Sequence, residues 1–392
     1  MTINTSDIYV YMLREKGLSG RMTLKLCKLI GDIENIMSFD IYEYIYKRLS
    51  EGLNEQIEEK DLIKISSVIK KLRKEESELK EKAKLFYSDL MSKDVKWTHL
   101  AKDDYPKRLF NIADPPLILF YRGKLPEEKR PSVAIVGARE CSSYGENVAR
   151  IFARELSVAG VQIISGMARG VDGISQRNSI EVGGATFGIL GCGVDVVYPK
   201  ENRDIFDSIL NDGGLISEFE PGVLPIRKYF PSRNRIISGL SDIVLVVEAR
   251  KKSGTYITVT QALEQGRDVY AVPGRITDAL SDGCNSLIAS GAGIALSSDS
   301  ILDELKNRDF ILGSGRISSP NDSYPETSDD ISVENSILKY VRKNDMTLDA
   351  LYRSFAGEIS IEDLSITLVD LESEGKIKKI GGRYTYIPLD FT

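Results

Sequence analysis

The middle of the chain alternates between short runs of aliphatic residues and longer stretches with helical spacing. The aliphatic runs are continuous and do not alternate with polar residues, which is typical of parallel strands covered on both faces. Several runs end in glycine-rich turns. The pattern predicts an α/β fold with a doubly wound parallel sheet, in which ligands bind outside the carboxyl ends of the strands. The predicted strands are Val133–Val136, Val161–Ile164, Phe187–Leu190, Ile243–Val247 and Val269–Val272.

Residues 1 to about 95 differ from this pattern, because they are rich in Leu, Ile, Lys and Glu and contain no proline. Leu62, Ile65 and Ile69 recur at helical spacing. We predict an N-terminal helical domain over residues 1–95, of the sterile alpha motif (SAM) or helix-hairpin-helix type. The Leu-Ser-Gly segment at 18–20 would hold a phosphate backbone in a helix-hairpin-helix. The segment also fits the turn of a small helical bundle, which is the interpretation we favour because Leu-Ser-Gly alone is a weak signal.

The chain after the α/β region, which we place at residues 96–312, divides into two parts. Residues 313–332 are mostly Ser, Gly, Pro, Asp, Asn and Thr, a composition typical of a flexible linker. Residues 333–392 contain three short helical patterns and then two β-prone runs around Gly381-Gly382, so we predict a winged-helix domain. Its expected recognition helix, Ser360–Gly375, carries five acidic residues and no Lys or Arg. We therefore expect protein contact or a structural role for this helix, while the basic strand after it leaves a weaker DNA role open.

The overall charge narrows the possible functions. The 392 residues include 52 Lys and Arg and 58 Asp and Glu, a net charge of −6, which excludes a uniformly basic nucleic-acid coat. The single histidine, His99, excludes multi-histidine metal sites. The four cysteines form no CxxC pair, so structural zinc is not predicted. No signal-like N-terminus and no apolar run of about 20 residues is present, and we expect a cytoplasmic protein without a membrane span.

The segment Pro225–Gly254 departs from the acidic average. It holds seven basic and two acidic residues, a net charge of +5, with Tyr229 and Phe230 inside the run. Basic residues interleaved with aromatic rings are typical of single-stranded nucleic acid binding, where charge follows the backbone and rings stack on bases. The alternative is an ordinary charged surface loop with a core phenylalanine. The basic residues are Arg227, Lys228, Arg233, Arg235, Arg250, Lys251 and Lys252.

Three glycine-containing turns follow successive predicted strands. A glycine there lets a phosphate approach the backbone, the following helix offers free N–H groups, and an arginine adds a two-pronged contact. One such turn could be a packing glycine beside a surface arginine, but three would converge on one face of the sheet. The turns contain Gly137, Arg139 and Ser142, then Gly166, Arg169 and Gly170 with Asp172 as an expected helix N-cap, and then Gly191 and Gly193.

A fourth short segment, Lys252-Ser253-Gly254-Thr255, resembles a phosphate-gripping turn before a helical stretch. It is not a Walker A loop, because the lysine precedes the glycine, so ATP hydrolysis is not predicted. The full dinucleotide-binding fingerprint is also missing. We predict no cofactor and no metal.

The stretch from about Asp103 to Leu305 resembles the DprA (Smf) family of DNA-processing proteins. The resemblance covers about 200 residues, and its motifs stand in the order found in the family. The matching strings are YPKRL, DPPLILFYRG, VGARECSSYG, SGMARGVD, LGCGVDVVYPKEN, ISEFEPG, FPSRNRIISGLS, VVEARKKSGTYIT, GRDVYAVPGR and GCNSLIASGA.

This resemblance implies an extended Rossmann-like domain that binds single-stranded DNA, forms a homodimer and loads the RecA recombinase. The family protects incoming strands during natural transformation. Two positions depart from the family pattern: Gln176 stands where the family commonly has histidine, and Ala138 where it has serine. The predicted DNA-binding residues are Gly137, Arg139, Ser142, Gly166, Arg169, Gly170, Arg227, Lys228, Phe230, Arg233, Asn234, Arg235, Lys252, Ser253, Gly254 and Thr255.

Two other functions are compatible with the same sheet. Nucleotide phosphoribohydrolases of the lysine-decarboxylase-like family carry P-G-G-x-G-T-x-x-E, but here Arg250-Lys251-Lys252 replaces P-G-G and Thr258 replaces the glutamate. Both the phosphate turn and the acid–base group are therefore missing, and we predict no enzyme activity and no catalytic residue. A scaffold that binds a nucleotide signal is the third interpretation, which the basic aromatic segment disfavours.

Overall fold

The structure, a computed structural model, describes residues 3–38, 40, 43, 58–308, 310, 312, 334, 337, 338, 340, 341, 346–355, 359–380 and 382–386. The chain divides into two units, Met1–Arg316 and Ile317–Thr392. The predicted linker at 313–332 lies outside the described residues. No helix within the described ranges has the length and apolar character needed to cross a membrane.

A nine-stranded sheet runs through the described part of the first unit, in the order β1-β2-β6-β5-β4-β3-β7-β8-β9. All neighbours from β6 to β9 are parallel, whereas β2 is antiparallel to both β1 and β6. The five predicted strands, now β3, β4, β5, β7 and β8, are confirmed to within one residue at each end. The strands are β1 Lys96–His99, β2 Ile118–Gly123, β3 Ser132–Val136, β4 Gln162–Ser165, β5 Thr186–Ile189, β6 Gly214–Ser217, β7 Ile243–Val246, β8 Asp268–Ala271 and β9 Gly293–Ile294.

The central strands are largely apolar because each face of the sheet has its own core. Val133 and Ile135 of β3 belong to a cluster on one face, and Ala134 and Val136 belong to the cluster on the other. All four side chains are buried. Continuous aliphatic runs, with no polar alternation, are what this two-sided burial requires.

Helices cover both faces of the sheet and form the N-terminal region. Short 3-10 turns lie at Ile33–Met37, Lys107–Leu109 and Lys200–Asn202. The helices are α1 Thr5–Glu15, α2 Gly20–Ile30, α3 Glu59–Lys74, α4 Glu76–Ser92, α5 Ser143–Val158, α6 Val171–Glu181, α7 Arg203–Ser208, α8 Tyr229–Gly239, α9 Thr255–Glu264, α10 Asp282–Ala289 and α11 Ser298–Asn307.

A buried carboxylate ties the N-terminal helices to the edge of the sheet. Asp7 of α1 accepts a hydrogen bond from Trp97 Nε1 at 2.7 Å and lies 3.1 Å from His99 Nε2 and 2.8 Å from Lys102 Nζ. Burial alone would raise the pKa of Asp7, but the His99, Asn4 and Lys102 contacts hold that pKa well below its usual range. The carboxylate therefore stays charged inside the junction between α1 and β1.

The Leu-Ser-Gly turn at 18–20 is packed against the protein itself. A Cβ on Gly20 would lie 1.9 Å from the Pro115 carbonyl oxygen, so this turn is closed by backbone of the sheet region. Ser19 caps α2 by accepting from the Met22 amide. This packing of Gly20 against backbone agrees with the turn of a helical bundle.

The second unit has its own small core and sheet. Helices α12 Leu348–Ser354 and α13 Ile361–Ser373 pack with strands β10 Met346–Thr347, β11 Ile377–Ile380 and β12 Arg383–Tyr386. The strands are antiparallel in the order β10-β12-β11, and β11 and β12 form the predicted hairpin.

Candidate nucleic-acid interface

A crevice of the first unit opens where the strand order reverses. From β3 the chain proceeds to β4, β5 and β6 on one side, and then crosses to β7 and β8 on the other. Loops that leave adjacent strands in opposite directions separate at this point, which makes it the expected ligand crevice of a doubly wound sheet. A pocket of about 530 Å³ lies here. Its walls come from the turn after β3, the start of α6, the turn carrying Tyr198, and the starts of α8 and α9.

Phe230, near the start of α8, stands at the centre of this crevice. Its half-buried ring lines the first pocket and also an adjoining pocket of about 640 Å³. The ring centroid is 5.6 Å from that of Tyr198, and Arg139 Cζ lies 5.8 Å away. Behind the ring is Gly191, where a Cβ would approach a Phe230 carbon to 3.0 Å. The arrangement holds an aromatic ring between two pockets with a cation beside it.

The exposed cations around Phe230 come from three separate loops. Arg139 and Arg227 line the first pocket and Arg169 lines the adjoining one, and all three side chains are exposed. Arg169 has only a long contact of 3.8 Å to Glu201, with both side chains more than half exposed. Such an exposed pair contributes little, so Arg169 is available for a phosphate.

Arg233 has a different place from the exposed arginines. It is 4% exposed, and its guanidinium donates to the carbonyl of Gly166 at 2.7 Å and to that of Ile189. Burial lowers its pKa to about 10, and the charge of Asp172 acts in the opposite direction. Arg233 therefore links the carboxyl ends of β4 and β5 beneath the pockets, and its charge is largely engaged by backbone carbonyls.

Arg235 does not line either pocket. Its guanidinium makes two bonds to the Glu218 carboxylate, at 2.8 and 2.6 Å, and its Nε donates to the Asp114 carbonyl at 2.8 Å. Burial alone would lower the pKa of Arg235, but the Glu218 carboxylate raises it above its ordinary value. The placement differs from the sequence-based prediction because Glu218 and Asp114 engage this side chain away from the crevice.

Ser142 also lies outside both pockets. Its backbone N–H and hydroxyl donate to the two oxygens of Glu248, at 2.9 and 2.5 Å, and its Oγ accepts from the Gly145 amide. The N-terminus of α5 was expected to offer free N–H groups to a phosphate. It is instead occupied by the buried Glu248 carboxylate, which follows β7.

The remaining predicted residues divide between lining and packing positions. Gly170 has a φ of 71°, and a Cβ there would lie 2.2 Å from the Ala138 carbonyl oxygen, so it lets two turns meet. Lys228 and Lys252 are exposed and line neither of the two pockets described above. The predicted residues that line at least one of the two pockets are Gly137, Arg139, Gly166, Arg169, Arg227, Phe230, Arg233, Asn234, Ser253, Gly254 and Thr255.

The start of α9 closes one side of the first pocket. Thr255 Oγ1 donates to the Gly137 carbonyl at 3.3 Å, which joins this helix to the turn after β3. The buried Ser253 Oγ has no hydrogen-bond partner within the described structure. Gly254 is the N-cap of α9 and lines the pocket, so the N-terminus of this helix lies at the pocket wall.

Sequence reasoning missed Tyr198 and misplaced Asp172. Tyr198 lines both pockets beside Phe230, and its only sequence signal was its position after the third glycine turn. Asp172 was expected to be an N-cap, but Gly170 is the N-cap of α6 and Asp172 lies in its first turn. The Asp172 carboxylate accepts from the Gly166 amide at 3.1 Å, and burial raises its pKa.

Gln176 supports the second glycine turn. Its Oε1 accepts from the Met167 amide at 3.1 Å, and Met167 has the unusual backbone φ of 56°. The amide side chain therefore holds a strained turn beneath the adjoining pocket. From the sequence alone, Gln176 was notable only because the family that the chain resembles commonly has histidine at this position.

Comparison with known proteins identifies the family that this chain resembles. A family model described as DNA recombination-mediator protein A matches residues 96–306. DNA processing protein DprA of Streptococcus pneumoniae is 44% identical over 208 residues, 52% of this chain and 72% of the relative. Protein Smf of Escherichia coli is 36% identical over 281 residues, 71% of this chain and 74% of the relative. An X-ray structure of DNA processing protein A from Streptococcus pneumoniae superposes with a TM-score of 0.58 and 34% identity, covering 78% of this chain and 99% of that one.

Proposed function

We propose that this chain, which belongs to the DNA recombination-mediator protein A family, binds single-stranded DNA in the crevice at the β3–β7 reversal. The observation that carries the proposal is the Phe230 ring between two pockets with the exposed Arg139 beside it. A ring of this kind stacks on any base, and an exposed arginine follows the backbone, so the site favours strands without sequence preference. A duplex keeps its bases inside and offers no face to Phe230.

We further propose that the protein is a recombination mediator without catalysis, which protects incoming strands and loads the RecA recombinase. The family to which the chain belongs supports this role. The competing phosphoribohydrolase function needs a glutamate where Thr258 stands, and Thr258 is buried at the pocket wall. Among the described residues that line the first pocket, Asp172 is the carboxylate present, and it is already held by the Gly166 amide.

The test is fluorescence-anisotropy binding of labelled oligothymidylate and of a duplex, each at two salt concentrations. We expect salt-sensitive binding that strongly favours the single strand. Arg139→Ala should weaken binding and reduce the salt slope by about one. Arg150→Ala is the matched control, because Arg150 is also exposed, lies on α5 and contacts Asn147 instead of the crevice. Binding of neither DNA form would refute the proposal and favour a nucleotide ligand.

Phe230→Ala separates stacking from charge. Loss of one stacked base should weaken single-strand binding by about 1–3 kcal/mol without a change in salt slope. The measurement is the same titration at both salt concentrations. An unchanged affinity would show that Phe230 is only a packing residue between α8 and Gly191.

We propose that the expected homodimer forms through the free edge of the sheet at β9. This outermost strand pairs with β8 on one side, and no described strand pairs with its other side. Ile294 is 49% exposed and Leu296 is 77% exposed. Exposed apolar residues at a strand edge mark an association surface. Light scattering after size exclusion should give a dimer for the unaltered chain and a monomer for Leu296→Asp, and an unaltered chain that is monomeric would refute the proposal.

For the second unit we propose a winged-helix domain whose α13 contacts a protein and not DNA. Ile366 and Val369 are exposed on α13 beside the exposed acids Glu362 and Asp370. An acidic helix is repelled by phosphates. Glu362→Lys should therefore leave the single-strand affinity unchanged in the anisotropy assay. Binding of duplex DNA by the unaltered chain at low salt would contradict the proposed protein contact.

A further inference from the structure

A third pocket, of about 700 Å³, lies beyond β7 on the same edge of the sheet. One wall is Ser142 to Tyr144 at the start of α5, and the other is the loop after β8 from Pro273 to Ser281. Because β3, β7 and β8 are parallel, the loops at their carboxyl ends share one edge of the sheet. The pocket therefore opens on the edge that carries the proposed DNA crevice.

This pocket presents an aromatic ring and a cation to solvent. Tyr144 is 49% exposed, and its hydroxyl donates to the Pro273 carbonyl at 2.9 Å, which fixes the ring across the pocket. Arg275 is exposed, and its guanidinium makes no ion pair with any described residue. Asp278 is an exposed acid on the same loop, so the pocket alone is close to neutral.

The loop after β8 is held rigidly against the end of β7. Gly274 both donates to and accepts from the Asn285 side-chain amide, at 3.2 and 3.0 Å. The Ala249 amide donates to the Leu280 carbonyl at 2.8 Å, and the Gly283 amide donates to the Ala249 carbonyl at 2.7 Å. The pocket is consequently pre-formed and does not depend on a loop rearrangement.

The residues after Ala249 connect this pocket to the DNA crevice. Ala249 is bonded to the loop after β8, and Ser253 lines the first pocket. Between them stand Arg250, Lys251 and Lys252, all exposed. Three cations thus lie on the surface that joins the two pockets, and they supply the positive charge that the third pocket lacks.

We propose that the third pocket is a second contact for the same DNA strand, with Tyr144 stacking on a base and Arg275 binding a phosphate. This inference rests on the proposed single-strand function. From β5 to β8 the sheet has four strand spacings, or about 19 Å. A strand with a stacked rise of about 3.4 Å per nucleotide would need roughly six nucleotides to reach from the adjoining pocket to the third one.

The dependence on length provides the test. Anisotropy is measured with oligothymidylates of about four and about fifteen nucleotides, within the range of site sizes known for single-strand grooves. Tyr144→Ala should weaken binding of the longer strand by about fivefold or more, which is the smallest effect expected for the loss of one stacked base. Binding of the shorter strand should not change. Tyr144→Phe keeps the ring and should retain most of the affinity. Arg275→Ala should reduce the salt slope for the longer strand only.

The outcomes separate this inference from the proposed function. If Phe230→Ala weakens both strands while Tyr144→Ala and Arg275→Ala change neither, the crevice binds DNA and the third pocket does not. If no variant and no strand gives binding, the proposed function itself fails. If Tyr144→Phe weakens the longer strand as much as Tyr144→Ala does, the hydroxyl bond to Pro273 supports the loop and stacking on the ring is refuted. Melting temperatures of all variants identify any that fail to fold.

Discussion

Arg235→Ala should destabilise the protein while leaving its affinity for single-stranded DNA unchanged. Arg235 belongs to the same Arg-Asn-Arg segment as the pocket residues, yet its guanidinium is engaged by Glu218 and the Asp114 carbonyl. The two side chains of the ion pair are 13% and 19% exposed. Removing the arginine leaves a largely buried carboxylate without its partner.

The magnitude follows from this partial burial. Breaking a buried ion pair costs about 3–5 kcal/mol, and residual exposure places this pair at the lower end, near 3 kcal/mol. In a large domain, 1 kcal/mol corresponds to roughly 2–4 °C in melting temperature, so a decrease of about 6 °C or more is expected. The double variant Arg235→Ala with Glu218→Gln should recover part of this loss, because the stranded charge is removed.

The assay combines a thermal melt by circular dichroism with anisotropy titrations on the same samples. Arg139→Ala is the matched comparison. Because Arg139 is exposed, this variant should bind single-stranded DNA more weakly and keep the melting temperature of the unaltered chain. The reasoning is refuted if Arg235→Ala keeps the melting temperature and lowers both the affinity and the salt slope. That result would mean that Arg235 leaves Glu218 to contact DNA.

Two further predictions concern buried carboxylates. Glu248→Ala should lower the melting temperature, because it removes the acceptor of the Ser142 amide and hydroxyl. It should also weaken single-strand binding, since Ser142 ends the turn that carries Arg139. A lower melting temperature with unchanged affinity would show that Glu248 stabilises the fold without positioning Arg139. Asp7 has a pKa below its ordinary value of 3.8, so its stabilising contribution is complete above that value and is lost as pH falls below it. Melts from pH 7 to pH 2 should therefore fall more steeply for the unaltered chain than for Asp7→Asn, and equal slopes would contradict the assignment.

The parallel strands could be predicted because burial on both faces leaves an unmistakable sequence pattern. Val133 to Val136 and Ile243 to Val246 are uninterrupted aliphatic runs. The antiparallel strand β1 carries Lys, Trp, Thr and His, and β6 carries Gly, Leu, Ile and Ser, so neither has such a run. Their pairing depends on neighbours distant in sequence, as the register of β2 against β6 shows.

Residues of all three glycine turns line one or both pockets, but the turns could not assign each polar side chain. Ser142 looks like a phosphate ligand until Glu248, which is 106 positions away, is placed beside it. Tyr198 carried no sequence signal beyond its position in a turn, although it is the ring neighbour of Phe230. Partners that are distant in sequence decide whether a polar group is free, and a single sequence does not contain that information.

The number of free cations, and not the local net charge, should set the salt dependence. All seven basic residues of Pro225–Gly254 as phosphate contacts would give a single-strand salt slope of about −5. The structure engages Arg233 and Arg235 elsewhere and leaves Arg139, Arg169 and Arg227 lining the crevice. Three contacts give a slope of about −2, and a strand long enough to cross the three cations at 250–252 and reach Arg275 adds a further −3 or so. A slope that steepens with oligonucleotide length, from about −2 toward −5, would therefore show that the strand continues past the crevice to the third pocket, whereas a slope near −2 at both lengths would refute that path.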